Sequence, residues 1–250
     1  MSLSKELSYR FRGIRALYGD DVLEKFINSH VCIVGSGGVG SWIIEALVRS
    51  GIGNITIIDN DVVDESNTNR QLHTLVGNYK KYKAQVMKDR MKLINPDVRI
   101  DVVLDFLTAD NMNVLLPKNI DAIVDAIDSL QSKAALIDYA IKNKLFIVSS
   151  GGAGGKTNPQ SVKVADLSNA TNDKLLSRLR TILRKNYSFP KAGTKMKVMV
   201  VYCDQQGLLS KEITNAVDVP NFGANMCVTA TVGLNIASLV IENFRKNVNG

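Results

Sequence analysis

The amino-acid sequence predicts an α/β protein with a Rossmann-like, doubly wound and mostly parallel sheet that carries helices on both faces. Three observations predict this fold class. Short apolar runs alternate with segments of helical length through the first 150 residues, which is typical of a parallel sheet. The first apolar run leads directly into a Gly-x-Gly-x-x-Gly turn. Several runs end in polar or acidic residues, which would then share the carboxyl edge of the sheet, where ligands of such sheets bind.

Length and composition favour one large domain, or one domain with an appended lobe. The chain has 250 residues, of which 45% are hydrophobic, so it can bury a sizeable core. Residues 1–6 contain no apolar segment of the kind that signal peptides have, and the three cysteines form no Cys-x-x-Cys pair. We therefore expect a reducing, cytoplasmic location without structural zinc or disulfides. The net charge of +7 favours an anionic partner.

The first elements predict a nucleotide site. Residues 1–30 are polar and predict an N-terminal helical arm, followed by a buried strand at 31–34. The strand runs into a turn whose glycines are Gly35, Gly37, Gly38 and Gly40, and a helix is predicted over about 38–50. A glycine turn at a helix N-terminus is typical of phosphate binding, because free N–H groups face the anion.

A second strand, predicted over 55–58, ends at Asp59. A carboxylate at this distance from the glycine turn can accept hydrogen bonds from ribose hydroxyls, although it could also cap a loop. The polar run over 60–71 is too long and too rich in amides and charges for an ordinary connection, so we interpret it as a binding loop. Lys83 begins a helix predicted to end near residue 94, before Pro96.

Further alternation completes a predicted core over 31–150. The remaining elements of this core are a strand at 98–104, a short helix near 108–115, a strand over 121–128, a helix over about 132–142 and a strand at 145–149. Asp128 ends the predicted strand over 121–128 and therefore falls on the same edge of the sheet as Gly35 and Asp59.

The second half, 151–250, is predicted to complete the same domain. Four glycines at 151–155 indicate either a close backbone approach or a flexible connector, and the sequence leaves both interpretations open. A strand is predicted over 161–167 and an amphipathic helix over 174–185. The uncharged run 219–241 contains proline, glycine and asparagine, so we expect a helix buried against the sheet and do not expect membrane association.

A basic segment interrupts this half. No aspartate or glutamate occurs from residue 174 to residue 203, within a predicted insertion at about 168–215. A solvated basic surface is the usual explanation, but so one-sided a segment favours nucleic-acid binding. The candidate contacts are Arg178, Arg180, Arg184, Lys185, Lys191, Lys195 and Lys197.

The combined motifs resemble the adenylating domain of the ubiquitin-activating-enzyme superfamily over about residues 9–150. In chain order they are Gly-Ser-Gly-Gly-Val-Gly at 35–40, Ile-Asp-Asn-Asp at 58–61, Asn-Thr-Asn-Arg-Gln at 67–71, Lys83, Ile-Asn-Pro at 94–96 and Asp-Ala-Ile-Asp-Ser at 125–129. Further motifs, at 17–19, 133–137, 151–155 and 222–224, resemble one branch, the tRNA threonylcarbamoyladenosine dehydratases. The resemblance implies ATP-dependent closure of the threonylcarbamoyl side chain of a tRNA adenosine into a ring.

The resemblance also implies residue roles. The four turn glycines would meet the ATP phosphates, Asp59 would hold the ribose, and Asp128 would hold Mg²⁺. Asn67, Arg70 and Lys83 would bind the phosphates, and cationic side chains there would stabilise charge on leaving pyrophosphate. The resemblance further implies a homodimer in which an N-terminal arginine enters the partner's site. Arg15 is the first candidate and Arg12 the second. A sulfur-relay protein is a further possible partner.

Three other functions compete with this interpretation. An adenylyltransferase that activates a sulfur-carrier protein would share the ATP site, but its relatives often carry a catalytic cysteine and Cys-x-x-Cys pairs. Cys203 is the candidate nucleophile here, whereas Cys32 and Cys227 are predicted to be core residues. A nicotinamide-dependent oxidoreductase would leave Arg70, Lys83 and Asp128 without a function. An RNA-binding scaffold would need a degenerate nucleotide site, and this one is intact.

Overall fold

The computed structural model describes residues 4–214, 216 and 219–248, and a seven-stranded sheet lies at its centre. Three of the predicted ranges extend beyond the described residues. Residues 1–3 of the arm, residue 215 of the predicted insertion, and residues 215, 217–218 and 249–250 of the second half lie outside them. The strands are β1 His30–Val34, β2 Asn54–Ile58, β3 Arg99–Val103, β4 Ala122–Asp125, β5 Phe146–Ser150, β6 Val162–Asp166 and β7 Met199–Cys203.

The strand order is β3-β2-β1-β4-β5-β7-β6. All neighbours are parallel except β6 and β7, which are antiparallel at one edge. This architecture confirms the predicted α/β, doubly wound, mostly parallel fold. Chain order reverses between β1 and β4, and such switch points open a crevice at the carboxyl ends of the strands.

The helices are α1 Lys5–Arg10, α2 Arg12–Tyr18, α3 Asp20–Asn28, α4 Gly40–Arg49, α5 Lys83–Ile94, α6 Met112–Leu115, α7 Leu130–Lys142, α8 Lys174–Asn186 and α9 Met226–Lys246. The N-terminal segment that was predicted to be a helical arm contains α1, α2 and α3. Arg10 attaches the arm to the body, since it donates to Asn95 at 3.0 Å and to Asp97 at 2.8 Å. The short helix expected near 108–115 begins later than predicted.

Two hydrophobic layers form on opposite faces of the sheet because side chains alternate along each strand. Val31 and Ile33 of β1 pack in the layer formed with α3, α4, α5 and α9. Cys32 and Val34 pack in the layer formed with α6, α7 and α8. Cys32 is a core residue, as predicted, and burial raises the pKa of its thiol to about 12.

The second half departs from the sequence prediction at β7. The predicted insertion contains the regular helix α8 and the strand β7, which pairs with both β5 and β6. Four of the five residues of β7 are buried, as in β1 and β2, and the lysines that precede the strand hid this apolar run within the predicted insertion. Much of the segment is therefore part of the sheet framework.

The glycine cluster after β5 is a close backbone approach and not a flexible connector. A Cβ atom on Gly151 would lie 2.5 Å from both the Tyr202 Cβ and an Asp173 carboxylate oxygen. Gly155 has a φ of +71°, and a Cβ there would lie 2.5 Å from the Leu208 carbonyl oxygen. These glycines let the end of β5 contact β7 and α8 directly.

The final helix, α9, packs against α4 and the sheet. It is long and apolar enough to cross a membrane by length and composition, but half of its most apolar window is buried within the protein. Gly233 permits the contact, since a Cβ there would lie 2.8 Å from the Val39 carbonyl oxygen. The expectation of a buried helix is confirmed. The prediction that Cys227 is a core residue is wrong, because it lies exposed in the first turn of α9.

Candidate functional site

A cleft of about 1740 Å³ opens at the carboxyl edge of the sheet, where β1, β2, β4 and β5 end. It brings together eight of the residues singled out from the sequence, although they are separated by up to 93 positions. They are Gly35, Gly37, Gly38, Asp59, Asn67, Arg70, Lys83 and Asp128. The location agrees with the ligand crevice expected at the switch point of such a sheet.

The glycine turn forms an anion cradle. Gly35 has a φ of +92°, and a Cβ there would lie 2.7 Å from the Ala126 carbonyl oxygen. A Cβ on Gly40 would lie 1.8 Å from the Gly35 carbonyl oxygen, so this residue allows α4 to begin directly above β1. The N-cap residue Val39 makes no side-chain capping bond, and the amides of Gly38, Val39 and Gly40 have no acceptor among the described residues. Such free amides at a helix N-terminus bind phosphate.

Asp59 joins this turn to the end of β2. One of its carboxylate oxygens accepts from the Ser36 amide at 2.6 Å and from the Ser36 hydroxyl at 2.8 Å. The other accepts from the Asp61 amide at 2.8 Å. Asp59 therefore caps the loop, as one sequence interpretation held, and it also lines the cleft where a ribose would lie next to the phosphate cradle.

Lys83 is a buried cation in the lining of the cleft. Its ammonium donates to an Asp61 carboxylate oxygen at 2.8 Å, and the lysine side chain is 8% exposed whereas that of Asp61 is 53% exposed. This pair orients the ammonium group at the first residue of α5. Asp61 belongs to the Ile-Asp-Asn-Asp motif, but the motif alone does not indicate that it pairs with Lys83.

Arg70 lies over the glycine turn. A Cβ on Gly38 would be 3.1 Å from the Arg70 Cγ, so the turn and the arginine are in close contact. The Trp42 indole donates to the Arg70 carbonyl oxygen at 3.1 Å, which attaches the loop to α4. Asn67 is buried and its side chain completes a capping box with Asp64 around a short 3-10 helix. The loop is thus ordered by its own polar side chains, as expected of a binding loop.

Asp128 presents a free carboxylate to the cleft. It is exposed and makes no hydrogen bond or ion pair with any described residue. Asp128 does not cap the next helix, because Ser129 occupies the N-cap position of α7. No group of three or more His, Cys, Asp or Glu side chains in the described part of the chain could hold a metal by itself. A Mg²⁺ ion bound by one carboxylate plus substrate phosphates fits this donor set.

The β5 side of the cleft was not identified from the sequence as a binding surface. Gly151, Gly152 and Gly154 line it together with Leu175 and Phe222. The Phe222 ring lies against Lys174, whose ammonium is 5.9 Å from the ring centroid. The sequence does contain a signal for this wall, the Phe-Gly-Ala motif at 222–224. Because the motif lies far along the chain from the glycine turn, the sequence does not show that the two line the same cleft.

The basic segment divides into structural and exposed groups. Arg180 donates to the carbonyl oxygens of Leu167 and Ala170, and Arg184 donates to that of Pro190, so both hold neighbouring backbone. The other candidates are exposed, namely Arg178, Lys185, Lys191, Lys195 and Lys197.

Two further candidates lie outside the cleft lining. Arg15 pairs with the Asp20 carboxylate on the surface of the arm. Cys203 is buried at the end of β7, where its thiol donates to the Asn158 carbonyl oxygen at 3.3 Å. Burial raises the pKa of the Cys203 thiol, which disfavours the thiolate that a nucleophile needs.

Comparison with known proteins gives consistent matches along the chain. The model of the ThiF family matches residues 11–240. A tRNA threonylcarbamoyladenosine dehydratase of Haemophilus influenzae is 39% identical over 244 residues, covering 95% of this chain and 94% of the relative. Its counterpart from Escherichia coli is 42% identical over 239 residues, covering 90% and 89%. The crystal structure of E. coli tRNA N6-threonylcarbamoyladenosine dehydratase in complex with ATP superposes with a TM-score of 0.92 at 39% identity, covering 100% of this chain and 99% of that one.

Proposed function

The chain belongs to the ThiF family, and from that premise we propose that it is an ATP-dependent tRNA threonylcarbamoyladenosine dehydratase. The observation that carries the proposal is the convergence of the glycine cradle, Arg70, Lys83 and Asp128 in one cleft. Similarity to enzymes of this name extends over nearly the whole chain, whereas the carrier-protein alternative shares only the nucleotide site.

The chemistry follows from the polarity of the cleft. The carboxylate of the threonylcarbamoyl group attacks the α-phosphorus of ATP and pyrophosphate leaves. An internal nucleophile of the same side chain then displaces AMP and closes the ring. Arg70 and Lys83 stabilise negative charge on the departing pyrophosphate, while the amides of the glycine turn hold the phosphates in place.

Magnesium completes the phosphate site in this proposal. Asp128 is the residue that would hold it, since its carboxylate is free and faces the cleft. When bound, the ion neutralises phosphate charge. Asp61 is already engaged by Lys83 and contributes through that ammonium.

We infer two partners from the same premise. The tRNA backbone would lie along the exposed basic side chains of the 174–197 segment, because phosphate contacts supply most of the affinity in such complexes. A homodimer would bring Arg15, or Arg12, to the partner's cleft. A cytoplasmic location accords with a tRNA substrate, and a sulfur-relay partner stays a prediction.

The proposal is tested by incubating the protein with ATP, Mg²⁺ and tRNA that carries threonylcarbamoyladenosine. We expect the modified nucleoside to lose the mass of one water and AMP to accumulate. Lys83→Met should lower kcat by roughly 10²–10³-fold, because it removes a buried charge from the developing pyrophosphate. Lys81→Met, which alters an exposed lysine two positions away, serves as the matched control.

Unchanged nucleoside mass with folded protein would overturn the proposal. Pyrophosphate exchange that depends on a Gly-Gly-ended protein and not on tRNA would instead support the carrier-protein adenylyltransferase.

A further inference from the structure

The cleft is larger than one nucleotide requires. Its volume of about 1740 Å³ exceeds the roughly 300–1,000 Å³ typical of small-molecule sites. Asp59 and the glycine cradle follow β2 and β1, whereas Gly151, Gly152 and Gly154 follow β5. Three strand spacings separate β2 from β5, which is about 14 Å across the sheet. The β5 side therefore provides room for a second reactant beside ATP.

The two ends of the cleft differ in chemistry. Arg70, Lys83 and Asp128 mark the phosphate end. The β5 side is walled by apolar side chains, namely Leu175, Ile213, Val219, Pro220 and Phe222. Phe222 is 39% exposed, and Lys174 supplies the nearest cation at 5.9 Å from its ring centroid. An exposed aromatic ring beside a lysine is the combination that single-stranded RNA sites use for base and phosphate.

Backbone contacts hold Phe222 in position. The Gly155 amide donates to the Gly223 carbonyl oxygen at 2.7 Å, and the Ser210 hydroxyl donates to that of Pro220 at 2.5 Å. A Cβ on Gly154 would lie 3.1 Å from the Phe222 Cβ, so the ring packs directly on the glycine turn after β5. The ring is thus preorganised before any ligand binds.

A further contact connects this wall to the phosphate end. The Asn69 side-chain amide donates to the Ala224 carbonyl oxygen at 2.6 Å, and Asn69 immediately precedes Arg70. A separate apolar wall, formed by Phe106, Leu107 and Ile58, lines the cleft on the Asp59 side, where the adenine of ATP would lie. The Phe222 ring is therefore available to contact the second reactant, the modified tRNA.

We propose that Phe222 is the platform on which the purine ring of the threonylcarbamoyl-modified adenosine stacks, with Lys174 contacting the adjoining phosphate. This inference rests on the proposed function. Stacking positions the base outside the RNA helix so that its side chain reaches the α-phosphate of ATP. Phe222 is then a substrate-specificity residue for tRNA and has no part in binding ATP.

The test compares steady-state kinetics of Phe222→Ala and Phe106→Ala, two truncations of exposed aromatic side chains at opposite ends of the cleft. Loss of base stacking should lower kcat/KM for modified tRNA by about 5- to 150-fold in F222A, with KM for ATP unchanged. F106A should show the opposite pattern, with a raised KM for ATP. F222W should retain tRNA turnover, and its added fluorescence should be quenched by modified tRNA but not by ATP.

Phe222→Leu keeps apolar volume without a stacking face, and it replaces F222A in the comparison if the alanine variant fails to fold. The inference is overturned if the wild-type protein dehydrates its tRNA and F222A or F222L has an unchanged kcat/KM for it. Wild-type protein that dehydrates no tRNA rejects the proposed function itself, a result that is distinct from the first.

Discussion

At the scale of single residues, the loop between β2 and α5 contains buried polar atoms that have no hydrogen-bond partner among the described residues. Both ring nitrogens of His73 are buried and make no hydrogen bond with the described residues, and the same holds for Gln71 Oε1 and Thr74 Oγ1. Burial, reinforced by the nearby Lys83 ammonium, lowers the pKa of His73 to about 4. His73 is therefore neutral at physiological pH and adds no charge beside the phosphate site.

This shift predicts a pH-dependent stability. Between pH 6.5 and about 4 the unfolded chain binds a proton at His73 that the folded chain excludes, so stability falls as pH falls through this window. The slope from this residue is about 1.4 kcal/mol per pH unit. His73→Gln should remove that slope, as measured by urea unfolding at several pH values. His30→Gln, which alters the other histidine, should retain it, and an unchanged slope in H73Q would contradict the prediction.

Site residues can be selected from the sequence more readily than the partners with which their side chains interact. Lys83, Arg70 and Asp128 could be selected from motif spacing because their chemistry suits phosphate and magnesium. The pairing of Lys83 with Asp61 could not, since 22 positions separate them and the loop between them decides where each side chain points. The sequence likewise does not show that the carboxylate of Asp61 is paired, whereas that of Asp128 is free.

At the scale of elements, a buried ion pair connects β4, α7 and β5. The fully buried Lys133 donates to Asp125 Oδ2 at 2.8 Å, to the Ser149 hydroxyl at 3.2 Å and to the Ser150 carbonyl oxygen at 3.1 Å. Asp125 also accepts from the Ile127 amide at 3.1 Å, one residue before Asp128. The network therefore fixes the strand end that presents Asp128, the proposed magnesium ligand, to the cleft.

Removing one member of this pair should be costly. Lys133→Met leaves the Asp125 carboxylate buried without its countercharge, so we expect a loss of about 3–5 kcal/mol in the free energy of unfolding. Lys142→Met, on the same helix, removes an exposed ammonium that pairs with the buried Asp138, and it should cost less, about 1 kcal/mol. Urea denaturation measures both. Equal losses in the free energy of unfolding would show that the buried pair contributes no more than the Lys142 pair. The double variant K133M with Asp125→Asn should recover part of the stability, because it removes the unpaired buried charge.

Helices and strands were predicted correctly where an apolar run or a helical segment had clear ends in the sequence. β1 and β2 stand out because glycine or aspartate ends an apolar run, and α5 begins and ends at the predicted residues, Lys83 and Ile94. β7 has the same burial pattern as β1 and β2 and is followed by Asp204, but it was missed because it lies directly after a segment whose lysines dominate the sequence pattern.

At the scale of the whole molecule, the expected dimer would complete each site with an arginine from the partner. Within one chain Arg15 pairs with Asp20 and does not line the cleft. Arg15→Ala and Lys83→Met should each be nearly inactive. Mixing and refolding them together should restore about a quarter of wild-type activity, because half of the dimers are mixed and each has one intact site.

Sedimentation of the wild-type protein checks the dimer independently, and Arg12→Ala in place of R15A distinguishes the two candidate arginines. A fully active R15A and R12A, or a monomer at working concentration, would overturn the expected arrangement.

The fold class, the ligand edge of the sheet and the chemistry of its donors can be predicted from local patterns, because glycine turns, apolar runs and charged residue types act through local geometry. The folded chain was needed to show which donors are free, as at Asp128, and which are engaged, as at Asp61 and Arg180. It also decided that the wall around Phe222 faces the same cleft as the glycine turn. The reason is physical: a contact between residues distant along the chain depends on how strands and helices pack, and no local pattern records that packing.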